Sequence, residues 1–379
     1  MTSNQTHERA VQIARSSYGR LLAILAAKTG DISAAEEALS EAFKRALETW
    51  PDKGIPNNPE AWLITVSRNL ILDYKRSAAV RLQSAVEVED IQELVMSQID
   101  PDEIPDERLK LLFVCAHPAI DSKIHTPLML QSVLGFEAED IGTAFLIPTA
   151  TMAQRLVRAK RKIKDAGIAF SLPDQSQMQD RLESVLEAIY GAYALEWDSP
   201  AGGDIRDDLA FEALYLADLL VELLPSEAEV LGLAALLSLS IARRESRYGE
   251  DGEFIPLDMQ DMAKWDRLKL SRGNVLLERA QKLGQIGRFQ LEAAIQSVHC
   301  DRLANGLTDW NSIAQLYEGI MRIAPTIGAA VGRAAAVGKV FGSETGLMSL
   351  NLIDPKAIEN FQPAWATRAH LLEELGENE

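Results

Sequence analysis

Cysteine is nearly absent from this 379-residue chain, occurring only as Cys115 and Cys300. Two distant thiols cannot make a disulfide framework and suit a reducing compartment, so a cytoplasmic location is expected. No apolar run approaches the length of a membrane span, and the opening MTSNQTHERA is too polar for a signal peptide, so no membrane partner is expected. Alternating period-2 stretches are rare, and Val, Ile and Thr are not gathered into strand-like runs, which argues against a sheet. The chain has no G-x-x-x-x-G-K-[ST], no G-x-S-x-G and no H-E-x-x-H. The expectation is a protein that is not an enzyme, with no catalytic residues and no cofactor. Cys115, His117 and His125 fall within 11 residues, and His299 precedes Cys300, but a fourth ligand at recognisable spacing is missing, so no metal is expected.

Positive charge is also scarce, and unevenly so. The net charge is −18. Residues 1–172 hold 20 Lys and Arg against 23 Asp and Glu, a net of −3; residues 173–379 hold 18 against 33, a net of −15. The second half should repel nucleic acid, so any DNA contact belongs to the first half.

Against that background stands the run Thr149 to Lys164, with six basic residues and no acidic one. Met152, Leu156, Ala159 and Ile163 recur at helical spacing and predict a buried stripe. Gln154, Arg155, Arg158, Arg161 and Lys162 fall on another face, suited to phosphates and to base edges in a major groove. Short apolar helices are expected from Pro127 to Leu134 and from Glu139 to Leu146. Ile147 and Pro148 form a break before the basic helix. That order is a helix-turn-helix.

Nearly everything else reads as helix, making the expected fold all-α. The segment at 84–107 carries nine acidic residues, no basic ones and two prolines, and reads as a linker; SLPDQSQMQ at 171–179 reads as a second boundary. WDSPAGGD at 197–204 and YGEDGEFIPLD at 248–258 are expected to be irregular. Near the end, Trp310, Ile313, Leu316, Tyr317 and Ile320 form one apolar stripe. Pro325 separates it from a helix whose Ala329, Gly332 and Ala336 allow close packing. The pair is like a tetratricopeptide hairpin, without a clean 34-residue period.

Two further amphipathic segments precede the linker. In 31–50, Ala35, Ala38, Leu39, Ala42, Phe43 and Ala46 share a face opposite Glu36, Glu37, Ser40, Glu41, Lys44 and Arg45. Asp31 or Ser33 can cap it, and Glu36 stands at capping-box distance from Ser33. In 57–76, Trp62, Leu63, Val66 and Leu70 alternate with polar Arg68, Asn69, Asp73 and Arg76, and Asp73 and Arg76 are within i,i+3 reach.

Taken in order, Ala34 to Phe43, Trp62 to Arg76 and Thr151 to Lys160 resemble the three signature helices of the extracytoplasmic-function sigma factors, bacterial transcription-initiation subunits. Ala34 stands for the family's usual acid, Ser40 for its Gln and Ala153 for its Lys. The resemblance implies two small helical sigma domains. Region 2 would occupy 1–80 and a helix-turn-helix region 4 would occupy 108–170, joined by an acidic linker at 81–107. It implies docking of Glu36, Glu37, Leu39, Glu41 and Phe43 on the largest subunits of core RNA polymerase. It implies contacts to the −10 promoter element by the Trp50–Asn58 loop and by Asn58, Arg68, Asn69 and Arg76. The −35 duplex would be read by Thr151, Gln154, Arg155, Arg158, Arg161 and Lys162. Residues 171–379 are similar to the helical, tetratricopeptide-like extension of one subgroup. Such an extension is expected to regulate the sigma domains and to take a small regulatory protein or ligand. From the residues alone, a polymerase-independent helix-turn-helix regulator and a helical-repeat adaptor remain open.

Overall fold

The computed structural model describes residues 3–82, 104–197, 209–249, 251–359 and 361–376. The expected linker between 83 and 103, and 198–204 of the WDSPAGGD stretch, lie outside the described residues. Among the described residues the fold is all-α, with one isolated bridge between Tyr248 and Phe254. The chain forms two compact units, Met1–Ser199 with Gly203–Leu219, and Pro200–Gly202 with Leu220–Glu379.

The first unit is built around α1 (Ser3–Thr29). Leu21, Leu22, Ala23, Ile24, Leu25 and Ala26 are all buried, so this stretch is covered on every side. It packs on α2 (Ile32–Lys53), α3 (Pro59–Leu82) and α4 (Ile104–Cys115). Asp31, rather than Ser33, caps α2, accepting from Ala34 N at 3.2 Å. No capping box forms, because Ser33 lies inside the helix and the residue three after the Asp31 cap is Ala34, which carries no carboxylate. Asn58 accepts from Ala61 N at 3.0 Å ahead of Pro59, the favoured proline position at a helix start. Ser17 and Arg20 of α1 both bond Glu60, fastening α3.

α5 (Ser122–Ser132), α6 (Ala138–Ala144) and α7 (Thr149–Asp165) follow. α5 begins five residues before Pro127 because Asp121 caps it, leaving the proline inside the helix. Between α6 and α7 the chain turns through Leu146, whose φ of 53° lies in the left-handed region, at roughly 1 kcal/mol of strain for a side-chain-bearing residue. Gly142 permits this turn: a Cβ there would strike the Ile147 carbonyl. α7 is longer and more polar, and its register buries Met152, Leu156, Ala159 and Ile163 as the sequence pattern predicts.

Two more helices complete the unit. α8 (Gln175–Trp197) packs on α5 and α4. Arg181 donates to the Phe113 carbonyl at 3.1 Å, and Ser184 Oγ lies 3.2 Å from His125 Nδ1. The Ile120 carbonyl accepts from His125 Nε2 at 3.1 Å, which leaves Nδ1 as acceptor of the serine hydroxyl. Glu212 of α9 (Leu209–Leu223) pairs with buried Arg108, whose guanidinium also sits over the Tyr215 ring. The compact-unit boundary therefore falls later than the break read at 171–179. Only 171–174 of that stretch is loop; 175–179 opens α8, which folds back onto α5.

The second unit centres on α10 (Ala228–Ile241), buried at every position but Glu229. It packs on α11 (Arg267–Lys282) and α12 (Arg288–Cys300). Glu229 caps α12 from outside, accepting from Phe289 N at 2.9 Å and Gln290 N at 3.2 Å, where the preceding Gly287 offers no side chain. The 248–258 stretch is largely irregular, and Asp266 opens α11 by accepting from Leu268 N and Lys269 N.

A four-residue turn of helix, α13 (Arg302–Asn305), leads to α14 (Trp310–Ile323) and α15 (Ile327–Phe341). Ile313 and Ile320 of α14 meet Ala329 and Ala336 of α15 and Ile295 of α12, with Trp310, Leu316 and Tyr317 packed at the edge. Gly332 admits the Tyr317 ring where a Cβ would clash. α16 (Ser343–Asn351), α17 (Pro355–Ile358) and α18 (Gln362–Glu374) close the unit. Successive helices pack as hairpins, as the stripe at 310–320 and the small residues at 329–336 predict.

Candidate functional site

α7 divides its side chains cleanly. Thr151, Gln154, Arg155, Arg158, Arg161 and Lys162 are all exposed, on the side away from Met152, Leu156 and Ile163. Arg161 is in reach of Asp165 at 3.3 Å, an exposed i,i+4 pair of little energetic weight. The outer face thus offers an amide and three guanidinium groups to a ligand, with the short α6 and the Leu146 turn behind its N-terminal end. A row of donors on a rigid helix can meet phosphate oxygens and purine edges in one groove.

One basic residue of the run behaves differently. Lys160 is only 6% exposed, and its Nζ donates to both Glu36 oxygens at 2.5 and 2.6 Å. One turn further, Lys164 Nζ meets Asp31 Oδ2 at 2.7 Å. Burial pushes the Glu36 carboxyl above its usual range, and the Lys160 ammonium pulls it back. Helical spacing alone puts Lys160 in the basic run and Glu36 on the solvent face. Only the fold brings residues 124 positions apart together.

Along α2, Glu37 is exposed, Glu41 is half-exposed beside Arg45 at 3.3 Å and Lys44 at 3.9 Å, and Phe43 is partly buried. Leu39 is fully buried in the unit's core, which corrects its expected place on a contact surface; it sits between Ala35 and Ala42 on the packed stripe.

Where α2 runs into α3 the chain forms a cavity of about 440 Å³, lined by Thr49, Trp50, Lys53, Gly54, Ile55, Pro56, Asn57 and Trp62. Trp50 and Trp62 meet edge to face with ring centroids 5.5 Å apart. Trp50 is buried, and its Nε1 has no hydrogen-bond partner among the described residues. Gly54 has φ of 83° and returns its N–H to the Trp50 carbonyl at 2.9 Å, which turns the chain out of the helix. Two indoles and a lysine make a site for a flat, polar-edged group. Asn58 and Asn69 are exposed, Arg68 is half-buried, and Arg76 pairs loosely with Asp73 at 3.8 Å. Asn58 already caps α3, which leaves its amide nitrogen for a ligand.

The cysteine and histidine cluster has packing roles. Cys115 is buried and free, and His125 is held by Ile120 and Ser184. Among the described residues no group of three potential ligands could hold a metal. No described helix is long and apolar enough to cross a membrane.

Residues 13–81 match the model of sigma-70 region 2, which places the first helices in the class of promoter-recognition subunits. The chain is 31% identical over 137 residues to ECF RNA polymerase sigma factor SigL of Mycobacterium tuberculosis, covering 36% of this chain and 76% of that one. It belongs to the extracytoplasmic-function RNA polymerase sigma factors. It is 27% identical over 188 residues to the probable ECF RNA polymerase sigma factor SigI of the same species, covering 46% of this chain and 64% of that protein. An uncharacterized protein of Rhizobium meliloti strain 1021 is similar along almost the whole length, 33% identical over 354 residues, 91% of this chain and 83% of that one. Residues 181–281 match a family of unknown function, DUF6596. No solved structure matches.

Proposed function

We propose that this sigma factor directs RNA polymerase to a dedicated set of promoters, and that the helices after Phe170 control how it does so. The observation that carries the promoter-reading part is the outer face of α7. Six donor-bearing side chains from Thr151 to Lys162 are free to meet a −35 duplex while the other face is seated. The α2 edge bearing Glu36, Glu37, Glu41 and Phe43 is the docking surface for the largest polymerase subunits. Leu39 supports that edge from beneath. The indole-lined cavity after α2, with Asn58, Arg68, Asn69 and Arg76 along α3, takes an unstacked base of the −10 element.

The division into region 2 at 1–80, region 4 at 108–170 and extension from 171 is retained as a functional division. Support for control by the extension comes from the first unit itself. α8 and α9 follow the region-4 helices in sequence and are packed into them through Arg181, Ser184 and Glu212. A regulatory segment fastened in this way can brace region 4 in its active shape. The second unit is the part of the chain left to receive a small regulatory protein or ligand. The test is transcription from one dedicated promoter with purified core polymerase, comparing the full chain with a form ending at Leu219. Lower activity in the shorter form supports control by the second unit, and equal activity removes it.

A further inference from the structure

We infer that the Lys160–Glu36 and Lys164–Asp31 pairs form a latch that ties up Glu36 at the start of the polymerase-docking edge of α2 while leaving the DNA-reading face of α7 exposed. The inference rests on the reading of α2 as the docking edge. Lys160 and Lys164 stand one turn apart on α7, and Asp31 and Glu36 flank the first turn of α2. α7 therefore crosses the start of α2 with two lysines aligned to two carboxylates. Glu36 cannot offer its charge to another protein while both its oxygens accept from one ammonium.

A second contact holds the same closure. Gly19 of α1 lies directly against the backbone carbonyl of Val133, which follows α5, so closely that a Cβ could not be accommodated. The region-2 and region-4 helices thus meet through backbone at one point and through charge at another. The rest of the interface around Glu36 brings more negative charge: Asp31 and Glu37 on α2, with Glu36 and Glu137 both acting on Tyr18. Lys160 at Glu36 and Lys164 at Asp31 offset this repulsion.

The geometry separates two activities that would otherwise go together. Thr151, Gln154, Arg155, Arg158, Arg161 and Lys162 are exposed in the closed form, so −35 duplex can bind without opening. Docking on polymerase at Glu36 cannot. If the closed form dominates the free protein, apparent affinity for polymerase falls by the open fraction. Opening converts Lys160 from an internal partner to a free cation and returns Glu36 to the docking edge.

The test uses the full chain with cysteines introduced at two exposed positions, E48C and V157C; native Cys115 and Cys300 are buried. Spin labels there report the α2–α7 distance by pulsed electron resonance. A single narrow distance is expected in the otherwise native chain. K160E should lengthen and broaden it, and the swap E36K/K160E should restore it, which mere loss of packing would not do. In parallel, K160M should bind core polymerase about three- to tenfold more tightly, while −35 duplex affinity stays within about twofold. K160M tests the latch even if K160E misfolds. Unchanged distances and unchanged polymerase affinity in K160M overturn the latch. Opening without tighter docking also overturns it. The charge-reversed E37K/E41K shows which reading failed. If that variant loses polymerase, the docking edge stands and the latch falls; if it keeps polymerase, both fall.

Discussion

Arg181 donates a hydrogen bond to the main-chain carbonyl of Phe113, joining α8 to α4 at 3.1 Å. The same α8 buries Met178, Leu182, Val185, Leu186 and Ile189. Removing it should cost the first unit on the order of 5 kcal/mol or more, comparable with the whole stability of a small domain. A chain ending at Phe170 should therefore melt earlier and over a broader range than one ending at Leu219. Calorimetry on the two forms checks this. Equal melting would mean that α8 is a passenger on the α5 surface.

On α7, R155A and R158A should each weaken binding to a −35 duplex. Loss of a bidentate base contact costs ~1–3 kcal/mol and relaxes sequence preference, whereas loss of a phosphate contact lowers the salt slope by about one. Both side chains are exposed, so the melting temperature should not move. Fluorescence anisotropy with labelled duplex at several salt concentrations distinguishes the cases. Native affinity in both variants would take this face out of promoter reading.

In the second unit, burial and the nearby Arg243 guanidinium lower His299 from an ordinary 6.5 to about 4. Its ring stands edge to face with Trp310 at 5.4 Å. A histidine kept neutral in the fold binds its proton more readily in the unfolded chain. Its contribution is therefore fully present above about pH 6.5, is lost as pH falls, and levels off below about pH 4. The loss should reach roughly 3 kcal/mol below about pH 4, and about 2 kcal/mol of it is already lost at about pH 5. H299L should flatten the stability profile over that window. Denaturant titrations followed by tryptophan fluorescence at pH 7, 6 and 5 measure it; parallel profiles for the two proteins would assign the pH dependence elsewhere.

W62A should open the cavity after α2 and remove one of its two rings, while Trp50 remains on the α2 core stripe. Loss of a stacking surface costs ~1–3 kcal/mol per base. Binding to single-stranded −10 oligonucleotide by the holoenzyme should fall about tenfold or more, with −35 duplex binding unchanged. Undiminished single-strand binding would move the −10 contact away from this cavity.

Local patterns carried most of the fold into view. The stripe Met152, Leu156, Ala159 and Ile163 and the small-residue helix from Ala329 to Ala336 follow from helical spacing, and the structure buries them accordingly. Caps were harder to assign. Asp31 and Ser33 both qualify by residue type; the helix starts at Ile32, so Asp31 is the cap and Ser33 falls within the first turn. Leu39 shows the reverse limit. The resemblance implies a contact residue, yet its position on the Ala35–Ala42 stripe already marks it as core. The polar stretch at 171–179 reads as a boundary, yet only its first four residues are loop and the rest opens α8. Sequence could not show that the helix beyond it returns to α4 and α5, because that depends on Arg181 finding the Phe113 carbonyl and Ser184 finding His125. The trans-cap of α12 by Glu229 was equally hidden, since its donors lie about 60 positions away.

The central claim is that this chain joins RNA polymerase through α2. It is tested most directly by assembling purified core polymerase with the full chain and with E37K/E41K, then measuring complex formation and transcription from one dedicated promoter. The native chain is expected to form a stoichiometric complex and to start transcription at that promoter. The charge-reversed form should stay folded and still bind −35 duplex, but neither assemble nor initiate. A native chain that binds promoter DNA yet never associates with core polymerase would contradict the claim.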